Sequence, residues 1–448
     1  MTVAMSVVGV LAVAVGVAVS IALHEIGHLL PAKRFGVRCS QYMIGFGPTI
    51  WSRTIGETQY GVKAIPLGGY VRMIGMYPPR PADLTASDTA PVGRFAALAE
   101  QARAESDREI GPGDEHRVFY KLSVPKKLLV MIGGPAMNLV LAFVLLGVAV
   151  SGIGVPTVVP TISTVAECLP STAPTAAKPQ PDCLPGDPAS PAALAGLRAG
   201  DRIVAVGQAP VTTWSDVLSA VRAARGTTLE FTVDWDGQRT VLPVSIAALT
   251  RAVTTDGKAR VAPDGSVVTE SVGYLGVSPA QGQVRQPLTQ VPRVMGDMLG
   301  ATGAALLTVP EKMVGIVQTV TGQADRDPNG PMSVVGLGRL GGEVAGGQLG
   351  AETVGAKAFL LVSLVVGLNL ALFFFNLLPL LPLDGGHAVG AIWEGLKRAG
   401  ARLLGRPDPG YVDVAKALPI AYAVSTVVIV MAVLLVYADL VTPVRLGG

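Results

Sequence analysis

The stretch VAMSVVGVLAVAVGVAVSIALHEIGHLL, residues 3–30, decides the fold of this 448-residue chain. Its first part, Val3–Leu23, carries no charge, and about 20 apolar residues suffice to cross a bilayer as a helix. The run has no basic segment before it and no cleavage-site spacing before the HEIGH motif, which argues against a secretory signal. We therefore predict that residues 1–30 form a retained transmembrane helix that ends in this motif.

Composition places the whole chain among membrane proteins. Half of the residues are hydrophobic and only 15% are charged, against about a quarter in ordinary soluble domains. Further uncharged runs predict transmembrane helices within residues 128–150, 358–388 and 417–440. The net charge of +3, without any Lys/Arg run, excludes nucleic acid as a partner and leaves the lipid bilayer as the expected environment.

Loop charge predicts the orientation, because Lys and Arg favour the cytoplasmic side. They outnumber Asp and Glu by 14 to 9 in residues 31–127 and by 5 to 3 in residues 385–416. In residues 156–285 the counts are 10 and 11. We therefore expect a multi-pass protein of the cell membrane, with 156–285 and both termini extracytoplasmic.

The HEIGH motif contains a pair of histidines in metal-ligand spacing. His24 and His28 are four residues apart and share a helix face, so both imidazoles reach one ion while Glu25 adjoins a water on it. A catalytic zinc site usually takes three protein ligands and one open position. We expect Asp384 as the third ligand, because it closes the third apolar run at the same cytoplasmic depth. His387 is a rival that spacing does not exclude.

The segments between the predicted membrane helices differ in character. Short β-type runs broken by Gly and Pro predict a small meander at 41–76, apolar enough to dip into the membrane. Residues 77–117 are polar and irregular, and no regular structure is expected there. The 156–285 segment has the α+β pattern of one small soluble domain. Residues 286–357 are amphipathic and are expected to lie on the outer membrane surface.

The three cysteines fall on different sides of the predicted membrane. Cys168 and Cys183 are expected outside, where a disulfide between them is favoured over two unrelated thiols. Cys39 is expected in the cytoplasm, where thiols stay reduced.

Five motifs together resemble the site-2 protease family. They are HEIGH at 24–28, IPLGGYVRM at 65–73, GGPAMN at 133–138, GPMSVVG at 330–336 and NLLPLLPLDGGH at 376–387. The match is most similar to the bacterial branch that cuts anti-sigma factors and carries a PDZ domain between its second and third transmembrane helices. The resemblance implies four transmembrane helices, a membrane-associated β-hairpin or meander, and an extracytoplasmic α+β PDZ domain that includes 191–277.

The resemblance also implies the chemistry. Zn²⁺ would be held by His24, His28 and Asp384, with Glu25 as the general base of an intramembrane metalloendopeptidase. Its expected substrates are the transmembrane segments of pre-trimmed single-span membrane proteins such as anti-sigma factors. In this family Asn376 is expected to steady the substrate strand or the developing oxyanion.

A cleavable segment must first become extended, and in lipid its freed backbone needs new hydrogen-bond partners. A strand edge of the meander, with Gly68, Gly69 and Tyr70, is expected to offer them. Asn138 lies in an apolar helix and either contributes to substrate binding or forms a hydrogen bond between helices.

Two other functions remain open. One is a peptidase that clears remnant signal peptides, which the active-site residues do not distinguish from a signalling protease. The other is a PDZ scaffold with a vestigial metal site, which the intact HEIGH motif and Asp384 disfavour. For the PDZ domain itself, capture of trimmed C-termini and exclusion of bulky substrates are both consistent with the sequence.

Overall fold

The computed structural model describes residues 2–79, 94–169, 183–255, 258–262, 266–349 and 353–444. The chain divides into two compact units, Met1–Gly154 with Arg285–Gly448 and, separately, Val155–Val284. The second unit differs by one residue at each end from the soluble domain expected at 156–285.

The elements follow one another along the chain. The first unit begins with α1 (Thr2–Arg34), β1 (Cys39–Ile55), β2 (Thr58–Met73), α2 (Arg94–Arg108) and α3 (Val124–Gly147). The second unit contains β3 (Val155–Val165), α4 (Pro191–Leu194), β4 (Arg202–Val206), β5 (Ala209–Pro210), α5 (Trp214–Ala223), β6 (Thr228–Trp235), β7 (Gln238–Ser245), β8 (Ala247–Ala252), β9 (Thr254–Thr255), β10 (Lys258–Ala259), β11 (Thr269–Tyr274) and β12 (Val277–Val284). The first unit resumes with α6 (Val291–Leu307), α7 (Val309–Val320), α8 (Val334–Gly346), α9 (Val354–Leu377), α10 (Asp384–Leu403) and α11 (Leu418–Val441).

Among its described residues, the first unit has four helices long and apolar enough to cross a membrane, namely α1, α3, α9 and α11. The predicted number and order of transmembrane helices are therefore confirmed. A π-helical segment, Val148–Ile153, continues α3.

Helices α1 and α3 cross closely at two glycines, since a Cβ on Gly27 would lie 2.2 Å from the carbonyl oxygen of Gly133. Only glycine at this crossing permits that approach, which agrees with the small residues typical of membrane helix interfaces.

The third transmembrane helix ends earlier than the sequence predicted. The predicted segment 358–388 included Asp384, but α9 ends at Leu377 and Asp384 is the first residue of the separate helix α10. Pro379 and Pro382 lie between the two helices, and proline lacks the N–H that a helix interior requires. The third helix and the acidic motif therefore belong to two elements joined by a turn.

The strands β1 and β2 form a curled sheet in place of a simple hairpin. Residues 41–44 of β1 pair on one side with 59–62 and on the other with 69–72. The sheet packs against α1, where the hydroxyl of Tyr42 donates to the carbonyl oxygen of Ala22 at 2.8 Å. This contact places the sheet beside α1, two residues before the start of the HEIGH motif.

Part of the polar insert at 77–117 is ordered, contrary to the expectation of no regular structure. Its helix α2 is tied to β2 by ion pairs from Arg72 to Glu105 and Glu109. Arg103 pairs with Asp413, just before α11, at 2.5 Å. Ion pairs on different faces of α2 thus join this part of the insert to β2 and to the segment before α11.

The segment expected on the outer membrane surface contains α6, α7 and α8. Helix α8 packs against the first half of α1, since a Cβ on Gly9 would lie 2.1 Å from the carbonyl oxygen of Gly341. This part of the segment therefore contacts a transmembrane helix.

The second unit is a small α+β domain. Its main sheet has the order β12-β3-β4-β6-β7, with β5 beside β4, and β8 pairs with β11. Apolar residues of α5 and the sheet form its core, with Trp214, Val217 and Val221 from the helix meeting Ile203 and Phe231. The sulfur atoms of Cys168 and Cys183 are bonded, and Cys39 of the first unit is free and buried.

Candidate metal centre

Helix α1 brings His24 and His28 together, and the first residue of α10 completes a triangle of ligand atoms. The two Nε2 atoms lie 3.2 Å apart, and each lies 3.3 Å from Oδ2 of Asp384. Zinc–nitrogen distances of about 2.0–2.1 Å and a tetrahedral angle place neighbouring ligand atoms roughly 3.3–3.4 Å apart. The spacing of the three atoms therefore fits one tetrahedrally coordinated ion.

Hydrogen bonding also leaves lone pairs pointing at this position. Nδ1 of His28 lies 2.8 Å from the carbonyl oxygen of Val130, which only accepts, so Nδ1 carries a proton and the neutral imidazole keeps its lone pair on Nε2. Within the described part of the chain, buried Oδ2 of Asp384 finds no hydrogen-bond donor. Acceptor atoms that converge without donors are stabilised by a cation, so these residues fit a metal.

The side-chain amide of Asn138 lies 3.1 Å from Nδ1 of His24. Asn138 is fully buried, and its amide oxygen has no other partner among the described residues. The structure places the amide nitrogen at Nδ1, but amide N and O are interchangeable assignments; in the flipped amide the oxygen accepts the Nδ1 proton and leaves Nε2 free for a metal, as partners of metal-ligating histidines usually do. Of the two sequence interpretations of Asn138, the hydrogen bond between helices is the one the structure contains.

Glycines let the surrounding backbone approach the ligands. A Cβ on Gly134 would lie 2.2 Å from Nε2 of His28 and 2.7 Å from Cε1 of His24. One on Gly385 would lie 2.3 Å from the carbonyl oxygen of Leu378, in the turn before Asp384. Both glycines therefore shape the site through the space that they leave.

Glu25 is only 8% exposed and follows His24 directly in α1. A Cβ on Gly69 would lie 2.9 Å from Cγ of Glu25, so β2 passes directly beside it. The neighbouring Gly68 has a φ of +95°, which glycine adopts without strain. The hydroxyl of Tyr70 donates to Oε1 of Gln41 at 3.2 Å.

Other sequence-predicted residues lie farther along the elements that form the site. Asn376 is the penultimate residue of α9 and is partly exposed. His387 is not a member of the metal-binding group; it lines a small cavity with Lys127 and Glu394.

Sequence reasoning missed several residues around the site. The sequence could not identify the Val130 carbonyl as a partner of His28, because every residue has a backbone carbonyl. Asn369 is fully buried in α9 and donates to Oγ of Ser20 at 2.8 Å, one turn before His24. A lone Asn within an apolar membrane helix was the available signal for this contact.

Comparison with known proteins agrees with this geometry. The model of peptidase family M50 matches residues 12–403, which include all three potential ligands. The chain belongs to peptidase family M50. Zinc metalloprotease Rip1 of Mycobacterium tuberculosis is 33% identical over 442 residues, which cover 99% of both chains. Zinc metalloprotease Rip1 of Mycolicibacterium smegmatis is 34% identical, over 97% of this chain and 98% of the relative.

Zinc metalloprotease RasP of Geobacillus kaustophilus is 25% identical, over 81% of this chain and 84% of its own. The resemblance to site-2 proteases is thereby confirmed. This M50 peptidase is a zinc metalloendopeptidase of the membrane, and Zn²⁺ is its cofactor.

Proposed function

We propose that this M50 peptidase cleaves the transmembrane segments of single-span membrane proteins that have already been trimmed, anti-sigma factors among them. The observation that carries the proposal is the triangle of His24, His28 and Asp384 beside Glu25, at the end of an apolar helix. A hydrolytic site in that place meets peptide bonds that lie within or next to the bilayer.

The three ligand atoms would hold the zinc ion, and bound zinc supplies an activated water and polarises the scissile carbonyl. Glu25 accepts the proton of the attacking water and passes it to the leaving amine, as a general base and then a general acid. Its burial keeps the carboxylate close to the reacting atoms. Val130 and Asn138 keep the imidazoles oriented with Nε2 toward the ion.

The substrate backbone would pair with the sheet. Among the described residues, segment 69–73 pairs with a strand on one side only, with 39–44, so its other side has no strand partner and faces Glu25. This edge starts at Gly69, beside Glu25, and includes Tyr70. An unwound substrate that hydrogen-bonds here has its backbone satisfied in lipid while it passes the catalytic carboxylate. Asn376 is proposed to contact the same extended chain.

The charge of the loops supports an orientation with the metal centre near the cytoplasmic face and both termini outside. The second unit would then be extracytoplasmic. Its α+β topology and the Gly273–Val277 run, GYLGV, support a PDZ domain, which would decide which substrates reach the transmembrane helices.

Reconstitution with single-span substrates tests the function. Wild-type protein in liposomes is expected to cut a pre-trimmed substrate within its transmembrane segment, while Glu25→Gln binds zinc and does not cut. Cleavage by Glu25→Gln at the wild-type rate would refute the mechanism. Equal cleavage of remnant signal peptides and trimmed anti-sigma factors would favour the clearing peptidase.

The role of the second unit is tested by replacing 155–284 with a short linker. If the domain excludes bulky substrates, the shortened protein cuts untrimmed substrate. If the domain captures new C-termini, it loses cleavage of trimmed substrate. Unchanged preference for trimmed substrate would contradict both roles.

A further inference from the structure

Helix α3 contacts both histidines through groups about two turns apart. Its Val130 carbonyl accepts from His28, and its Asn138 amide meets His24. Lys127 lies one turn before Val130 and contacts Glu394 of α10. Helix α10 begins with Asp384, the third proposed ligand. A single helix thus contacts every element that carries a ligand.

The contact between α3 and α10 is a buried ion pair. Nζ of Lys127 lies 3.0 and 2.8 Å from the two carboxylate oxygens of Glu394. The two side chains are only 6% and 2% exposed. Arg398 Nη2 approaches the same carboxylate at 3.2 Å, and the backbone N–H of Val412 donates to it at 3.2 Å. Lys127 and Arg398 also lie over the ring of Tyr411, each 5.1 Å from its centroid.

Glu394 is the one large side chain among the buried residues of α10, all of which are described. The buried residues of α10 other than Glu394 are all small: Gly385, Gly386, Ala388 and Ala391. Glycine and alanine allow a close approach but resist sliding or rotation weakly, because they interdigitate little with a neighbour. Glu394 lies ten residues after Asp384, which is about 15 Å along the helix axis. A rotation of α10 about its axis would therefore displace the Asp384 carboxylate from the histidines.

We propose that the Lys127–Glu394 pair positions the third metal ligand. It fixes the rotation and axial position of α10 against α3, and so holds the Asp384 carboxylate at equal distances from both Nε2 atoms. The inference rests on the ligand set proposed above. A buried ion pair often adds little net stability compared with apolar residues of the same size, so its geometry matters more here than its energy. Lys127 and Glu394 are positioning residues and contact neither metal nor substrate.

Zinc affinity of the full-length protein, purified in detergent, is the measurement that tests this role. Competition with a chromophoric chelator gives the zinc Kd of Lys127→Met, Glu394→Gln and the double variant. Each single variant is expected to raise Kd about 10-fold or more, as loss of groups that orient metal ligands does. The zinc Kd of the double variant is expected to equal that of either single variant, because each substitution removes the same Lys127–Glu394 interaction.

The chain offers a matched control in another buried pair of the first unit. Nη2 of Arg326 lies 2.9 Å from Oδ1 of Asp439, with side chains 6% and 0% exposed. Asp439 belongs to α11, and the other hydrogen-bond partners of the pair lie just before α8, at the Pro331 carbonyl and the Ser333 N–H. Arg326→Met is expected to lower the melting temperature while the zinc Kd stays within about 2-fold of wild type. An equal loss of zinc affinity in Arg326→Met would overturn the positioning role, since general destabilisation would then explain both.

Glu394→Asp keeps the charge and withdraws the carboxylate by one methylene, so it covers the case in which Glu394→Gln does not fold. Its zinc Kd is expected to rise measurably at near-native melting temperature, and an unchanged Kd would overturn the proposal. Asp384→Asn distinguishes a failure of the proposed ligand set from a failure of the positioning role. If it leaves zinc affinity unchanged, the ligand set itself is wrong. If it weakens binding while Lys127→Met and Glu394→Gln do not, the ligand set stands and the positioning role fails.

Discussion

A Cβ atom on Gly134 would lie 2.2 Å from Nε2 of His28, so the backbone of α3 forms one wall of the metal centre. No side chain fits between this helix and the ligand nitrogen. The same helix accepts the Nδ1 proton of His28 through the Val130 carbonyl at 2.8 Å. The position of α3 against α1 therefore sets both the space and the protonation pattern of the site.

Gly134→Ala is expected to disrupt the metal centre. The added methyl group overlaps Nε2 of His28 and Cε1 of His24, so both imidazoles must move away from the positions in which their Nδ1 contacts hold them. We expect at least about a 10-fold loss of zinc affinity, with cleavage falling in parallel. Gly147→Ala in the same helix is the control, because its Cβ meets nothing within 4 Å and activity should persist. Normal zinc binding in Gly134→Ala would contradict the close packing of the two helices.

Removal of the metal should abolish activity reversibly. Purified protein is expected to contain about one zinc per chain by elemental analysis, and a strong chelator should inactivate it until zinc is restored. His24→Ala and His28→Ala should lose the metal, and Asp384→Asn should hold it more weakly, since an amide oxygen is a poorer ligand than a carboxylate. Full zinc occupancy in His28→Ala would exclude the proposed site.

Asn138→Leu separates an orienting role from a substrate-binding role. Because its amide adjoins His24 Nδ1, the substitution is expected to weaken zinc binding about 10- to 100-fold. Once zinc is saturating, KM for a trimmed substrate should stay near the wild-type value. A higher KM with unchanged zinc affinity would assign Asn138 to the substrate instead.

The Cys168–Cys183 bridge should be found by mass spectrometry of non-reduced peptides, with Cys39 as a free thiol. The bridge spans a sequence separation of 15 residues, and a loop of this size contributes roughly 3 kcal/mol in the chain-entropy model. Cys168→Ser with Cys183→Ser is expected to lower the stability of the second unit by up to that amount. Alkylation of both thiols without reduction would show that they are not linked.

The orientation of the chain in the membrane can be tested by cysteine labelling from outside intact cells, after the native cysteines are replaced. A cysteine at position 202, in the second unit, is expected to react with an impermeant reagent, and one at position 117 is not. The opposite pattern would invert the topology and place the metal centre near the outer face.

Sequence patterns predicted the elements that depend on local chemistry. Uncharged runs identified the four membrane helices, because the bilayer requires length and apolarity that can be counted. The spacing of His24 and His28 indicated a shared ligand face, because residues four apart on a helix are neighbours. The resemblance to site-2 proteases supplied the firm assignment of Asp384, which spacing alone left open against His387.

Local patterns failed where a feature depends on contacts between distant segments. Helix α2 was missed because its ion pairs to Arg72 and Asp413 join residues far apart in the chain. The separation of α9 from α10 was missed because an uncharged run continues through Pro379 and Pro382, and apolarity was weighed above the missing N–H donors.

The sequence by itself determined that this is a membrane zinc peptidase, because helix length, apolarity and the HEIGH spacing are properties of short stretches. Only the tertiary structure decided how the ligands meet. The 3.2–3.3 Å triangle requires α1 and α10 to be held in register by α3, through Gly134, Val130 and Lys127. Such register arises from packing and buried hydrogen bonds between residues more than a hundred positions apart, which no local pattern encodes.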